Sequence, residues 1–434
     1  MPSTSPGYRA AIRFGVMVAP ALGLLSPKIG AGLKARREAG DRLLDWARWN
    51  RDPARPLVWF HAASVGEGRQ AESVLQALRR LRPDCQIAYT HFSPSAEALA
   101  SAIAADASDY LPFDLPANAD RLLQVLQPNL LVFAKLDVWA ELATRASTSG
   151  VEVALVAATV SPGSSRLRWP ARQLLQPGYR AIAAAAAVAP ADAARLERLG
   201  VERERIQVLG DPRFDSVADR VARVSPDDPL LRLGDDAPTL VAGSTWPPDE
   251  RVILAAFARL LSRRPDARLV LVPHEPSSEH LDRLEQSIRG LDLPAPVRLS
   301  TMGSPGPLVL VDRVGVLSTL YGAGTMAYVG GGFGRAGLHS VLEPAAWGMP
   351  VVFGPAWRNS RDADLLLQSG AAVELPRTGA AEALERQWSD WIENEDGRAA
   401  QGARAREVVE QGRGAAERSA ELLARLISAR RPRR

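Results

Sequence analysis

Four short clusters bring reactive side chains to the ends of apolar runs. The first is His61-Ala-Ala-Ser64-Val-Gly66-Glu67-Gly68. Ser64 and Gly66 make a turn into a helix and set Glu67 in its first turn. A carboxylate there can act as a general base, or it can merely complement the helix dipole. The second is Gly243-Ser244-Thr245, a strand-to-helix turn whose hydroxyls and N–H groups suit either a phosphate or a simple N-cap. The third, Pro273-His274-Glu275-Pro276, puts a histidine at a strand end, as a ligand contact or as an ordinary loop residue. The fourth spans residues 329–355. It runs from a strand into Gly330, Gly331 and Gly332, places His339 and Glu343 four residues apart, and closes on an apolar run at 350–353. Glycines allow close backbone approach to a phosphate, a helix start supplies N–H groups, and an acid one turn in suits ribose hydroxyls. The plainer alternative is a glycine turn followed by a surface pair on one helical face. That spacing can also hold a metal, but no third ligand accompanies it, so no metal is expected. The glycine run is not a dinucleotide fingerprint followed by a distant acid, which disfavours a nicotinamide fold. Neither a P-loop nor a nucleophile elbow is present.

These clusters need strands and helices to hold them. Apolar runs at 56–61, 86–90, 129–134, 152–157 and 206–209 read as strands, with helices at 70–81, 93–104 and 191–199 between them. Strands alternating with helices predict parallel sheet with crossover helices. Residues 224–238, rich in Pro, Asp and Leu without a clear period, read as a linker. The alternation then restarts, with strands at 239–242, 268–272, 308–310, 326–329 and 351–353, a helix at 249–263, and largely helical sequence from 390 to 426. Two doubly wound halves bind ligands at the carboxyl ends of their strands. The expected fold is therefore α/β: two Rossmann-like parallel-sheet domains facing a central cleft.

A chain of 434 residues exceeds one ordinary core, and 46% hydrophobic with 24% charged residues describes a soluble globular protein. The formal charge of +4 comes almost wholly from arginine, since the only lysines are Lys28, Lys34 and Lys135. Aromatic content of 6% offers little stacking surface and argues against nucleic acid as a partner. The single cysteine, Cys85, excludes an internal disulfide framework and a cysteine zinc site, and fits a reducing compartment. Near the N-terminus, Arg9 and Arg13 precede an apolar run at 14–25, followed by Lys28, Lys34, Arg36 and Arg37. The run is shorter than the roughly 20 residues that span a bilayer. It reads as an interfacial membrane helix with cationic flanks, or as a buried N-terminal helix. Arg430, Arg431, Arg433 and Arg434 make a basic tail. The domains are thus set at 1–30, the apolar and basic segment; 31–224; 225–405; and 406–434, a C-terminal helix and tail.

Together the motifs resemble the bacterial 3-deoxy-D-manno-octulosonic acid (Kdo) transferases, two-domain GT-B glycosyltransferases that move Kdo from CMP-Kdo onto a lipid A precursor. HAASVGEGRQAESVLQAL at 61–78 looks like the family's N-terminal signature. Tyr110-Leu-Pro-Phe-Asp114-Leu-Pro116 resembles YLPYDLP, and Gly210-Asp-Pro-Arg213-Phe-Asp215 is similar to GNLKFD. Gly243-Ser244-Thr245 matches a GST turn, Gly337-Leu-His339-Ser340-Val-Leu-Glu343-Pro344 looks like GGHNPLEP, and Phe353-Gly354-Pro355 matches FGP. The resemblance implies an inverting transferase without a bound metal or cofactor, with CMP-Kdo as donor substrate. It makes Glu67 the base that deprotonates the acceptor hydroxyl. The donor nucleotide falls to Gly243, Ser244, Thr245, His274, Gly330, Gly331, Gly332, His339, Ser340 and Glu343, with Glu343 on the ribose. Ser64, Gly66, Lys135 and Asp137 lie on the acceptor side. Lipid IVA as acceptor, lipopolysaccharide core biosynthesis and the cytoplasmic face of the inner membrane follow in the same way.

Several positions depart from the family pattern. Its ETELWPN reads here Lys135-Leu-Asp137-Val-Trp139-Ala-Glu141, which reverses a charge beside the acceptor. PRHPER reads Pro273-His274-Glu275-Pro276, without an arginine, and the asparagine of GGHNPLEP is Ser340. These changes point to a divergent branch. They keep two alternatives open: another GT-B enzyme using a UDP-sugar on a cell-envelope lipid, or a non-catalytic protein that binds a sugar nucleotide.

Overall fold

The computed structural model describes residues 4–25, 30, 32–34, 36, 39–234, 237–335 and 337–429. The chain divides into two compact units, Met1–Ser216 with Gly412–Arg434, and Val217–Gln411. The α/β expectation of two doubly wound parallel sheets holds in both.

The first unit carries β1 (Leu57–His61), β2 (Gln86–His91), β3 (Ala107–Tyr110), β4 (Leu130–Ala134), β5 (Glu152–Ala158), β6 (Ala184–Ala187) and β7 (Ile206–Val208). They pair in parallel in the order β3-β2-β1-β4-β5-β6-β7. β1, β2 and β4 are buried along their whole length, which is why they read as unbroken apolar runs. Successive side chains serve opposite faces. Trp59, Leu131, Phe133 and Leu155 join one core, while Val58, Phe60, Val132 and Val156 join the other. The helix Val65–Leu81 meets that second face through Ala71, Val74, Leu75 and Leu78, an i, i+3, i+4, i+7 stripe.

That face has a second cover. Ala416, Ala420, Leu423 and Ile427, all from the helix Ala415–Ala429, belong to the same core. The carboxylate of Asp215 ties down the helix start by accepting from the N–H groups of Gly414 at 2.6 Å and Ala416 at 3.0 Å. Asp211, four residues earlier, accepts from Gln70 at 3.3 Å and holds the Arg213 guanidinium at 2.7 Å. The GDPRFD stretch therefore joins distant parts of one unit. Residues 406–434, which chain order alone sets beyond the second domain, return to the first unit from Gly412 onward. Arg430, Arg431, Arg433 and Arg434 lie outside the described residues.

The second unit carries β8 (Thr239–Thr245), β9 (Arg268–Pro273), β10 (Val297–Arg298), β11 (Leu308–Leu310), β12 (Met326–Val329), β13 (Val351–Phe353) and β14 (Ala372–Glu374). Their parallel order is β10-β11-β9-β8-β12-β13-β14. Leu240, Leu271 and Tyr328 pack on Phe257 and Trp388 across one face, and Val241, Val270 and Ala327 pack on Leu320 and Tyr321 across the other. The division between units falls between Ser216 and Val217, inside the helix Pro212–Ala222, rather than in the 224–238 stretch expected as a linker.

The N-terminal helix Pro6–Leu25 is fastened at its start. Tyr8 donates its hydroxyl to Asp114 at 2.5 Å, Arg9 forms a two-pronged pair with Glu141 at 2.9 and 3.0 Å, and Thr4 also donates to Glu141. Further along, Phe14 and Met17 are 62% and 70% exposed. Among the described residues no helix is long and apolar enough to cross a membrane. Lys28 and Arg37 lie outside the described residues.

Candidate functional site

Each sheet reverses its winding once, between β1 and β4 in the first unit and between β8 and β12 in the second. Open parallel sheets bind ligands in the crevice at this point, beyond the carboxyl strand ends. The sequence-predicted residues collect at these two points.

In the first unit Glu67 follows β1, while Lys135 and Asp137 follow β4. Ser64 is the N-cap of Val65–Leu81, and its N–H donates to the Glu67 carboxylate at 3.1 Å, so Glu67 does contribute to the cap. The same carboxylate also feels its neighbours. Burial pushes its pKa above the usual range and Asp137 adds to the rise, while Lys135 and the Ser64 bonds oppose it. Asp137 is held by Arg166 at 2.8 Å and by the Trp139 indole N–H at 3.3 Å. Lys135 is exposed, has φ of 62°, and makes no ion pair among the described residues. A non-glycine residue in that left-handed region carries strain that surrounding structure must sustain. Gly66 is exposed, with open space where a Cβ would stand.

Two buried histidines end β1 and β2. His61 shares a 3.0 Å hydrogen bond with the Thr90 hydroxyl and stands edge-on to Trp139. His91 lies against the Tyr110 ring at 4.1 Å, and neither of its ring nitrogens has a hydrogen-bond partner among the described residues. The sequence placed His61 at the head of the first cluster without giving it a role and passed over His91, although a histidine ending each of two adjacent apolar strands was the available signal. Burial pushes the pKa of each down to about 4. Between that value and 6.5 the unfolded chain takes up protons that the folded chain refuses. Each histidine therefore costs stability as pH falls from 6.5 toward 4, by up to about 3 kcal/mol, and costs nothing above that window. In His91→Phe, the stability lost between pH 7 and pH 5 is expected to shrink by about 2 kcal/mol in denaturant unfolding. An unchanged loss would refute this assignment.

In the second unit Gly243, Ser244 and Thr245 end β8, and Gly330, Gly331 and Gly332 follow β12. Neither hydroxyl of the turn caps the following helix, Pro247–Leu261; its N-cap is Trp246. Thr245 donates instead to Glu250 at 3.1 Å, and Ser244 adopts φ of 54°. The glycine run is explained first by protein packing. A Cβ on Gly330 would stand 2.2 Å from the Ser244 carbonyl oxygen, and one on Gly331 would stand 2.0 Å from that of Gly337. The Gly330 N–H donates to Gly243 at 2.9 Å and the Gly331 N–H to Asp249 at 2.9 Å, so both are spent within the protein. Gly332, Gly334 and Gly337 do carry the G-x-G-x-x-G spacing, but the next helix begins only at Leu342 and is five residues long.

The expected helical face of His339 and Glu343 is corrected by that helix. Gly337, with φ of 84°, keeps the chain irregular, so His339 lies in loop and Glu343 in helix. They take different partners: Glu343 pairs with Arg220, and His339 accepts the Trp246 indole N–H at 3.0 Å. His274, exposed after β9, stacks on His339 at 4.4 Å and on Trp246 at 4.9 Å. Ser340 is exposed. Asp249, which the sequence presented only as a helix-start acid, is fully buried and accepts from the Trp246 N–H, the Gly331 N–H and the Tyr328 hydroxyl at 3.1, 2.9 and 2.9 Å. Among the described residues no group of acidic, histidine or cysteine side chains is arranged to hold a metal.

Residues 37–216 match the family model described as 3-deoxy-D-manno-octulosonic-acid transferase. The 3-deoxy-D-manno-octulosonic acid transferase of Haemophilus influenzae is 28% identical, with 84% of this chain and 86% of that protein covered. The Bordetella pertussis protein of the same name is 29% identical, with 79% and 83% covered. The crystal structure of UDP-GlcNAc 2-epimerase from Neisseria meningitidis bound to UDP-GlcNAc aligns with a TM-score of 0.59 at 12% identity, over 87% of this chain and 100% of that one. The UDP-GlcNAc 2-epimerase of Methanocaldococcus jannaschii aligns with a TM-score of 0.57 at 13% identity, over 85% and 99%. These last two show a shared two-domain GT-B fold and nothing of chemistry.

Proposed function

We propose that this chain, a divergent member of the 3-deoxy-D-manno-octulosonic acid transferase family, transfers Kdo from CMP-Kdo onto a lipid A precursor in lipopolysaccharide biosynthesis, with lipid IVA as the acceptor and the cytoplasmic face of the inner membrane as its place. One observation carries the mechanism: Glu67 sits at the β1/β4 crevice with its pKa raised by burial and by Asp137. A base of raised pKa accepts a proton more readily. Glu67 removes the acceptor hydroxyl proton, and the oxygen bonds to the anomeric carbon of Kdo. The bond from that carbon to the CMP phosphate oxygen breaks on the opposite face, which inverts the centre and releases CMP as an anion. No metal is invoked; dipoles and N–H or imidazole donors of the second unit stabilise the departing charge.

The acceptor side belongs to the first unit. Lys135 stands where the family has glutamate, and its exposed ammonium suits a phosphate on the acceptor. The exposed Phe14 and Met17 on Pro6–Leu25 support contact with a membrane surface.

A donor screen tests this reading. The protein is incubated with a lipid A precursor and either CMP-Kdo or UDP-sugars, and products are followed by mass spectrometry. Release of CMP with a Kdo mass added to the acceptor is expected. Turnover only with a UDP-sugar would assign another GT-B transferase, and binding without turnover of either would assign a non-catalytic role.

A further inference from the structure

The β8 and β12 loops are joined by a side-chain bond that the donor assignment leaves unused. Trp246 donates its indole N–H to Nε2 of His339 at 3.0 Å. Both backbones are fixed. The Trp246 N–H is held by Asp249 at 3.1 Å, the same carboxylate that holds Gly331, and the His339 N–H donates to the Gly330 carbonyl at 3.1 Å. Indole nitrogen is a donor only. Nε2 of His339 must therefore present a lone pair, which leaves the ring proton on Nδ1. A protonated ring would set two N–H groups against each other and lose the bond. We infer that Trp246 is a positioning residue that locks His339 as the neutral Nδ1–H tautomer, aiming one N–H donor at an anionic group of the donor nucleotide, an assignment that rests on the donor reading above.

The surroundings agree with a neutral ring. His274 stacks on His339 at 4.4 Å from the end of β9, and positive charge there disfavours a proton on His339. Burial, then His274, holds His339 below the ordinary histidine range, and Asp249 from the helix Pro247–Leu261 opposes them. Trp246 also stacks on His274 with the rings 30° apart, so the indole keeps two jobs, and only one of them needs its N–H. A neutral donor has a mechanistic merit here. It can bond a phosphate oxygen at neutral pH without the tight ground-state ion pair that would hold back the leaving group.

Trp246→Phe separates the jobs, since it keeps an aromatic ring for stacking and deletes the donor. Loss of one hydrogen bond predicts a rise in donor KM of about threefold to tenfold, with acceptor KM unchanged. Freed from its need to stay neutral at Nε2, His339 should also protonate more easily, moving the acid limb of kcat/KM for the donor to higher pH. In the full chain labelled with 15N-histidine, with five histidines to assign, His339 is expected as the Nδ1–H tautomer at pH 7 in the native protein and as a tautomer mixture in Trp246→Phe. A native His339 that is charged or Nε2-protonated, or a variant with native donor KM and pH limb, would overturn the lock. If Trp246→Phe fails to fold, the spectrum of the native protein decides. That spectrum needs no donor, so a native enzyme releasing no CMP from CMP-Kdo would sink the functional reading while the lock is still judged.

Discussion

Glu67→Gln is expected to lower turnover by about 10²–10⁴-fold, the usual contribution of a positioned general base, while donor binding stays native. Glutamine keeps the size of the side chain and an oxygen to accept the Ser64 N–H, the bond that Glu67 makes at 3.1 Å. The helix start therefore survives, and the loss is one of chemistry. Steady-state kinetics with donor KM measured separately, beside an unfolding curve, check this. Near-native kcat in the variant would remove Glu67 from the mechanism. A subsidiary sign follows from its neighbours. Activity needs Glu67 ionised, so it rises with pH through the raised pKa. Lys135 lowers that pKa, and Lys135→Met should shift the rise to higher pH.

Asp249→Ala is expected to destabilise the second unit by about 3–5 kcal/mol. The carboxylate is fully buried and accepts three hydrogen bonds, from the Trp246 N–H, the Gly331 N–H and the Tyr328 hydroxyl. Alanine strands all three donors, each at roughly 1–3 kcal/mol, with partial relief from relaxation and entering water. Against a typical total of about 5–15 kcal/mol this is a large fraction. Amide exchange at Gly331 is the local probe, since its N–H is held by the deleted group, and denaturant unfolding gives the global cost. A change below about 1 kcal/mol would show that the acid does not hold the loops. Asp249→Asn, which retains one accepting oxygen, should lie between.

How much of this could be read in advance follows from the physics of each element. The strands at 308–310, 326–329 and 351–353 match residue for residue, because strands buried on both faces read as unbroken apolar runs. β3 (Ala107–Tyr110, ASDY) went unseen because it is an edge strand with polar composition. β6 (Ala184–Ala187, AAAA) has no contrast with the alanines around it. Glu67 was legible because Ser64 and Glu67 carry the spacing of a capping box. His339 and Glu343 were set on one helical face by spacing alone, but Gly337 delays the helix to Leu342. The Trp246–His339 bond joins residues 93 positions apart, and no local pattern reports a contact of that range. The division between units was sought where composition loosened, at 224–238, whereas the chain makes that passage inside a regular helix.

The return of the C-terminal helix to the first unit bears on the order in which a ribosome can finish this protein. The second unit is an insertion: the chain leaves the first unit after Ser216 and re-enters it at Gly412, and a Cβ on Gly412 would stand 2.4 Å from the Phe214 ring. Domains commonly fold as they emerge, the earlier ones first. Here the sequence that begins first is completed last, because one apolar face of its sheet waits for Ala416, Ala420, Leu423 and Ile427. The inserted unit can close while its host still exposes Val58, Phe60 and Val132. A nascent chain stalled before residue 415 should therefore hold a protease-resistant second unit beside a first unit that chaperones still recognise.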